Sequence, residues 1–341
     1  MKSMVAASQG SAVNLMLLRS DRNKSEAMKQ PLFSAAWLLC LGLMGSLSWG
    51  QEAQVLKWEL ESDQQYRLVV DWTSQSVLAD STVTNRTKCD LIWVVKSVDD
   101  EGQFEISQTL ANVRQSVQMN DGVVFQYDST SDGETTGTIA FLADYWKPLL
   151  GSQREFKMSP QGKVTDSEAA SSLTPADNAL VSRVFGRDAW RTAVRQGSVI
   201  FPPEGLVPNQ AWKESQTVAL PMDGGKLALT RSYTYLGRAK QEESDTTVDQ
   251  IKVDNQFEIQ SDGDKPSSIK VIQQNGEGEI LFDAMNGRLV SSKFDQTLKL
   301  RSRAQEREVG SQLTTKFELV FQLLPQVEAT AGDSSPPANS P

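Results

Sequence analysis

The chain has 341 residues and no histidine. It therefore lacks the commonest general base, Ser-His-Asp and Cys-His nucleophilic machinery, and histidine metal sites. Carboxylates, one or two thiols and aromatic surfaces remain as chemistry. Asp128, Thr130, Asp132 and Gly133 occupy positions one, three, five and six of a calcium loop, but position twelve is Ile139 where a bidentate Glu is needed. A solvated turn is the better reading. Asp99-Asp100-Glu101 and Asp262-Gly263-Asp264 are likewise turn compositions. A glycosidase needs two carboxylates facing across a cleft, and no spacing in the sequence shows such convergence.

Gly276-Glu277-Gly278 begins like a dinucleotide fingerprint, yet it lacks the third glycine and opens a strand instead of a helix. No phosphate loop or Gly-x-Ser-x-Gly elbow follows residue 50. Cys89 precedes the apolar run Leu91-Ile92-Trp93-Val94-Val95 and reads as a buried strand thiol. Aromatic side chains offer apolar area with a polar handle, so Trp190, Trp212, Tyr233 and Tyr235 are the candidate ligand-binding residues, although a core role in a sheet packed on helices is the better reading. No catalytic residue, metal ligand or cofactor is implied.

The elements that would position these residues are mostly strands. Asn286-Gly287 between alternating apolar residues marks a hairpin over 276–303. A three-residue loop of Met285, Asn286 and Gly287 sets Phe282 opposite Val290 and Glu279 opposite Lys293, with Asp283 against Leu289 and Gly287 left-handed at a bulge. Trp58, Leu60, Tyr66, Leu68, Val70 and Trp72 on even positions predict an opening strand or hairpin. Further strands are expected at 90–98, from Phe104, at 123–127, 226–236, 248–259, 268–273 and 311–323, and 156–164 repeats the hairpin theme of a strand and a tight turn with Gly162 before Lys163 and Val164. Helical spacing of Ile139, Leu142, Ala143, Trp146, Leu149 and Leu150 predicts one helix. Thr174, Pro175 and Asp177 start a second, broken at Gly186 before Trp190 and Val194. The fold class expected is α+β, mainly antiparallel β: a strongly curved, half-barrel-like sheet with two or three helices packed on its concave side.

Met28-Lys29-Gln30-Pro31, the apolar run from Leu32 to Leu47 and Ser48-Trp49-Gly50 compose a Sec-type leader. The expected organisation is an N-terminal extension (1–27), a signal peptide (28–50), a two-lobed β-rich domain (51–326) and a disordered tail (327–341). Beyond residue 50 the chain holds 29 basic and 41 acidic residues, a net of −12. That field argues against nucleic acid or an anionic membrane surface as partner. One cysteine, Cys89, remains there, so no internal disulfide is available.

The order of the leader, Ser159-Pro160-Gln161-Gly162-Lys163-Val164, the Val207-Pro208 to Trp212 segment, Ser232-Tyr233-Thr234-Tyr235-Leu236-Gly237 and Phe282-Asp283 to Gly287-Arg288-Leu289 resembles a family of exported planctomycete proteins of unknown function. The resemblance implies an envelope location and brings no catalytic residues. The sequence thus points to an exported, non-enzymatic binding or scaffold protein of the periplasm or cell envelope. Its partner would be a lipid or other amphipathic ligand, or an envelope protein. The rival class is a carboxylate-dependent hydrolase of envelope glycans.

Overall fold

Alternation of apolar and polar residues along long segments favours strands that bury one face, and nearly every element obeys it. A computed structural model describes residues 53–78, 81–120, 122, 124–131, 138–171, 199–219, 226–241, 246–260, 269–304 and 307–325. The expected leader, the expected second helix with Trp190, and the expected tail lie outside them. Twelve strands form one antiparallel sheet. They are β1 (Gln65–Leu78), β2 (Ser81–Val98), β3 (Phe104–Met119), β4 (Val124–Asp128), β5 (Gln153–Met158), β6 (Val164–Ser171), β7 (Ala211–Ala219), β8 (Lys226–Lys240), β9 (Thr247–Gln260), β10 (Ile269–Asp283), β11 (Arg288–Ala304) and β12 (Arg307–Leu323). One helix, α1 (Thr138–Trp146), is found among the described residues.

The sheet runs β6-β5-β3-β2-β1-β12-β11-β10-β9-β8-β7, with β4 beside β3. Two meanders therefore meet where the first strand pairs the last, from Tyr66↔Leu323 to Leu78↔Ser311. The α+β expectation is corrected accordingly. The sheet is nearly all of the described structure, and it is neither closed nor strongly curled. The physical reason is strand length: β2 starts at residue 81 where a strand was expected only from 90, β3 runs unbroken over 104–119, and 269–283 is one strand where separate segments were expected before and after Gly276. Uninterrupted antiparallel ladders of this length lay the strands side by side, with β6 and β7 left as separate edges.

The even residues of β1 define the inner face. Tyr66 and Leu68 are buried on it, beside Trp93, Val95, Phe104, Ile106, Phe156, Ile251, Val253, Ile280, Phe282 and Phe321. At this end of the sheet residues 53–60 cross over the strands instead of joining them. Gln54 bridges Leu206, the Trp58 amide donates to Pro160 O (2.7 Å) and the Glu59 amide to Gly287 O (2.8 Å). The crossing segment thereby ties the β5–β6 and β10–β11 turns together. It also inserts Leu56, Trp58 and Leu60 into the core, with Trp58 edge-on to Phe282 and Phe321 at ring separations of 5.6 and 5.9 Å. Each such buried side chain contributes roughly 1.5–3 kcal/mol. Helix α1 covers the same face over β2, β3 and β4 through Leu142, Ala143 and Trp146, packed on Val113, Tyr127 and Cys89.

The 276–303 hairpin keeps Glu279↔Lys293, as expected, up to Leu281↔Ser291, and then shifts by one residue. Phe282 pairs with Leu289, not Val290, and the connection is the four residues 284–287. Packing decides this, because the shift brings Phe282 and Leu289 both into the core, at 0% and 2% exposure. Gly287 is left-handed (φ +56°), and a Cβ there would overlap the backbone and side chain of Glu59. Asp283 braces the turn by accepting the amides of Met285 and Asn286 (3.1 Å each).

Gly287→Val is expected to lower the unfolding free energy by about 3 kcal/mol or more, read as a fall in the urea midpoint. Gly151→Ala is the contrast: its φ is +72°, but nothing lies within 4 Å of the added carbon. It should cost only about 1 kcal/mol. Equal losses would mean that the approach of Glu59 contributes nothing.

Candidate functional site

Continuous pairing lets the inner face be read across the strands, one rung at a time. A first rung, just beyond the Phe282 and Phe321 rings under the crossing segment, is apolar but for one residue: Tyr235, Ile251, Ile280, Ser292, Leu319 and Val70 lie abreast. The next is largely aromatic, with Trp212, Tyr233, Val253, Gly278, Phe294, Phe317 and Trp72. The third carries no apolar side chain over eight strands. Glu214 pairs Arg231, and Arg231 pairs Asn255. Gly276 packs against Asn255 and pairs Gln296. Gln296 pairs Thr315, Thr315 pairs Ser74, and Ser74 pairs Asn85. A fourth rung is mixed, with Leu229, Phe257, Leu298 and Leu313 among Gln216, Gln274 and Ser76.

The aromatic row is built by close packing. Trp212 stacks on Tyr233 at 5.1 Å and 14°, and its indole N–H donates to Ile200 O (2.9 Å). Phe294 and Phe317 lie 6.1 Å apart. Gly278 makes room for the Phe294 ring, which a Cβ there would strike. Trp72, in the middle of the face, remains 44% exposed.

The polar row contains buried and accessible groups. Arg231 is 5% exposed and its guanidinium lies 5.8 Å from the centre of the Phe294 ring, within cation–π range. The Tyr233 hydroxyl donates to Glu214 Oε2 (3.3 Å). Burial pushes this phenol up to about 12, with Arg231 pulling down and Glu214 pushing up. Asn255 is 8% exposed, and its Oδ1 is buried with no hydrogen-bond partner; Ser292 Oγ, on the first rung, is similarly placed. At the other end Gln115 donates to Asn85 Oδ1 (2.9 Å) and accepts from the Trp146 indole of α1 (2.7 Å). The row therefore runs from the β7 edge to the foot of the helix.

Of the aromatic candidates from the sequence, Trp212, Tyr233 and Tyr235 share this inner face, while Trp190 lies outside the described residues. Tyr235 is buried and donates to Asp249 Oδ1 at 2.5 Å. Burial and then that bond raise its ionisation well above the ordinary tyrosine range. Sequence reasoning missed Trp72, Glu214, Arg231, Asn255, Phe294, Gln296, Thr315 and Phe317. The available signal was a polar residue on the apolar parity of each strand, as in Val253-x-Asn255-x-Phe257.

The carboxylates behave as structure. Among the described residues three are buried: Asp90, Asp249 and Asp283. Asp90 accepts from Arg67 (2.7 Å) and Asn112 (3.3 Å) on the outer face. Burial works against its charge, but these donors hold its pKa below the usual carboxylate value. Asp249 accepts from Tyr235 and lies 3.6 Å from Arg238 Nε, and Asp283 serves its own turn. Asp128 accepts the amide and hydroxyl of Thr130 (2.9 and 2.6 Å), an Asx turn, while Asp132 and Gly133 lie outside the described residues. Among the described residues no group of three or more acidic or cysteine side chains could hold a metal ion.

Comparison with protein-family models finds no match, and comparison with curated proteins finds none. Among solved structures, the chain is similar to one concerned with lipid–protein interactions in lipovitellin, at 12% identity and a TM-score of 0.41, over 78% of this chain and 26% of that one. The chain thus spans about a quarter of the length of the lipovitellin chain. A DUF1329 family protein from Desulfovibrio piger aligns at 8% identity and a TM-score of 0.11, over 76% of this chain and 86% of that one.

Burial, then the charges of Asp90 and Asp71, push the Cys89 thiol up to about 12. The native protein is therefore expected to resist iodoacetamide at about pH 8, where a thiol with an ordinary pKa alkylates readily. Full reaction should appear only in guanidinium chloride. Rapid native alkylation would contradict the placement of Cys89 under α1.

Proposed function

We propose that the protein is an exported binding protein of the cell envelope that holds an amphipathic ligand against the inner face of its sheet. The single observation that carries this reading is the pairing of an aromatic row with a wholly polar row on the face that elsewhere forms the apolar core. A face that served stability alone has no reason to bury Arg231 and Asn255 in line with the half-buried Gln296, Thr315, Ser74 and Asn85, since a polar group withdrawn from water costs free energy unless it is bonded. A ligand with an apolar body and a polar flank satisfies both rows. The exposed Trp72 places part of that surface within reach of solvent. Export is supported by the leader expected at 28–50 and the strongly acidic remainder of the chain.

The rival hydrolase requires two carboxylates facing each other across a cleft. Asp90 lies on the outer face, Asp249 on the inner, and Asp283 in a hairpin turn, each engaged by its own donors. That arrangement favours binding over glycoside hydrolysis.

Organic extraction of protein purified without detergent, followed by mass spectrometry, is expected to release one class of amphipath near stoichiometric amount. Adding it back to stripped protein should change Trp72 fluorescence, and Trp72→Phe should abolish most of that change. Protein that is consistently empty and unresponsive would overturn the assignment.

A further inference from the structure

The electrostatics of the polar row say which polar group it accepts. Arg231 and Glu214 are direct partners across β7 and β8, and the Tyr233 hydroxyl touches both. The guanidinium is also capped by the Phe294 ring. Its charge is therefore balanced within the protein, and the row as a whole is neutral: beside this pair it holds only the amides and hydroxyls of Asn255, Gln296, Thr315, Ser74 and Asn85.

An anionic headgroup seated on such a row would face the Glu214 carboxylate and lose its water without gaining a net counter-charge. The buried Oδ1 of Asn255 instead asks for a donor. Gly276 leaves room for this side chain, since a Cβ added there would come within 2.9 Å of Asn255 Cβ. A carboxylate or phosphate diester has no proton to give this acceptor, whereas an alcohol does.

Resting on the binding reading above, we infer that the inner face selects an uncharged, hydroxyl-bearing amphipath, such as a monoacylglycerol, and discriminates against the fatty carboxylate of the same chain. Asn255 accepts the hydroxyl, the aromatic row from Phe294 to Trp72 carries the chain, and Glu214 is the residue that excludes anions.

The test compares monoolein with oleate, which share one apolar chain, by displacement of a fluorescent lipid from the full-length protein. Monoolein is expected to bind about 10-fold tighter. Asn255→Leu, which removes the acceptor while filling its volume, should weaken monoolein about 5-fold and leave oleate unchanged. Glu214→Gln should strengthen oleate about 5-fold or more by leaving Arg231 uncompensated. Oleate binding as well as monoolein to the unmodified protein, or a Glu214→Gln variant with unaltered oleate affinity, overturns the headgroup inference and leaves the binding assignment intact. Failure of both lipids to displace the probe overturns the binding assignment itself.

Discussion

Unbroken antiparallel register is the constraint on which everything else depends. Side chains alternate faces with a period of two, so a ladder that keeps step across a pair also keeps inner residues beside inner residues. Here the ladders run from β7 through β12 to β1 and β2 with few slips, and those lie at identifiable bulges such as Leu281/Phe282. A residue type repeated at one position in neighbouring strands therefore becomes a stripe on the surface. Hydrophobic stripes at one end become the core around Trp58 and Phe282. A polar stripe in the middle becomes the feature with the least structural justification.

The two regions are stabilised in different ways. The end under residues 53–60 is filled by interlocking rings and aliphatic chains, and its burial terms are large and self-consistent. The middle gives up part of that gain: Arg231 and Asn255 are withdrawn from water, and the space beside Gly276 and Gly278 is taken by Asn255 and the Phe294 ring, leaving two strand positions without side chains of their own. A sheet with twelve strands and a well-filled end can tolerate that loss. Its location, one rung beyond the aromatic row and not at a rim, is what gives it chemical meaning.

Much of the fold was legible in the sequence, because period-two alternation is local. The strand pattern of the second half, the left-handed Gly287 and the helix carrying Leu142, Ala143 and Trp146 all follow from neighbours within one element. The strands were longer than their patterns suggested, since residues such as Gly276 and Gly278 look like breaks until the side chains that occupy their space are known. Residues 53–60 show strand alternation yet cross the sheet, held by Leu206, Pro160 and Gly287 from distant segments. The polar row was invisible for the same reason. Arg231 between Leu229 and Tyr233, or Thr315 between Leu313 and Phe317, is one irregularity in one strand. Only the registers of seven ladders make them a line.

The seam between β1 and β12 sets an order of events. A chain made from its amino terminus produces β1 first, pairs one edge of it with β2 at once, and leaves the other edge, Tyr66 to Leu78, without a partner until Arg307–Leu323 has been synthesised. Within each meander the paired strands are close in sequence, the β3–β5 pair across β4 and α1 being the widest step of the first, whereas the seam joins β1 to β12 across nearly the whole domain and carries the largest loop-closure entropy. Once β11 has been made, and until β12 follows it, the molecule is thus two half-sheets with raw edges at β1 and β11, and the last strand acts as the zip that makes them one.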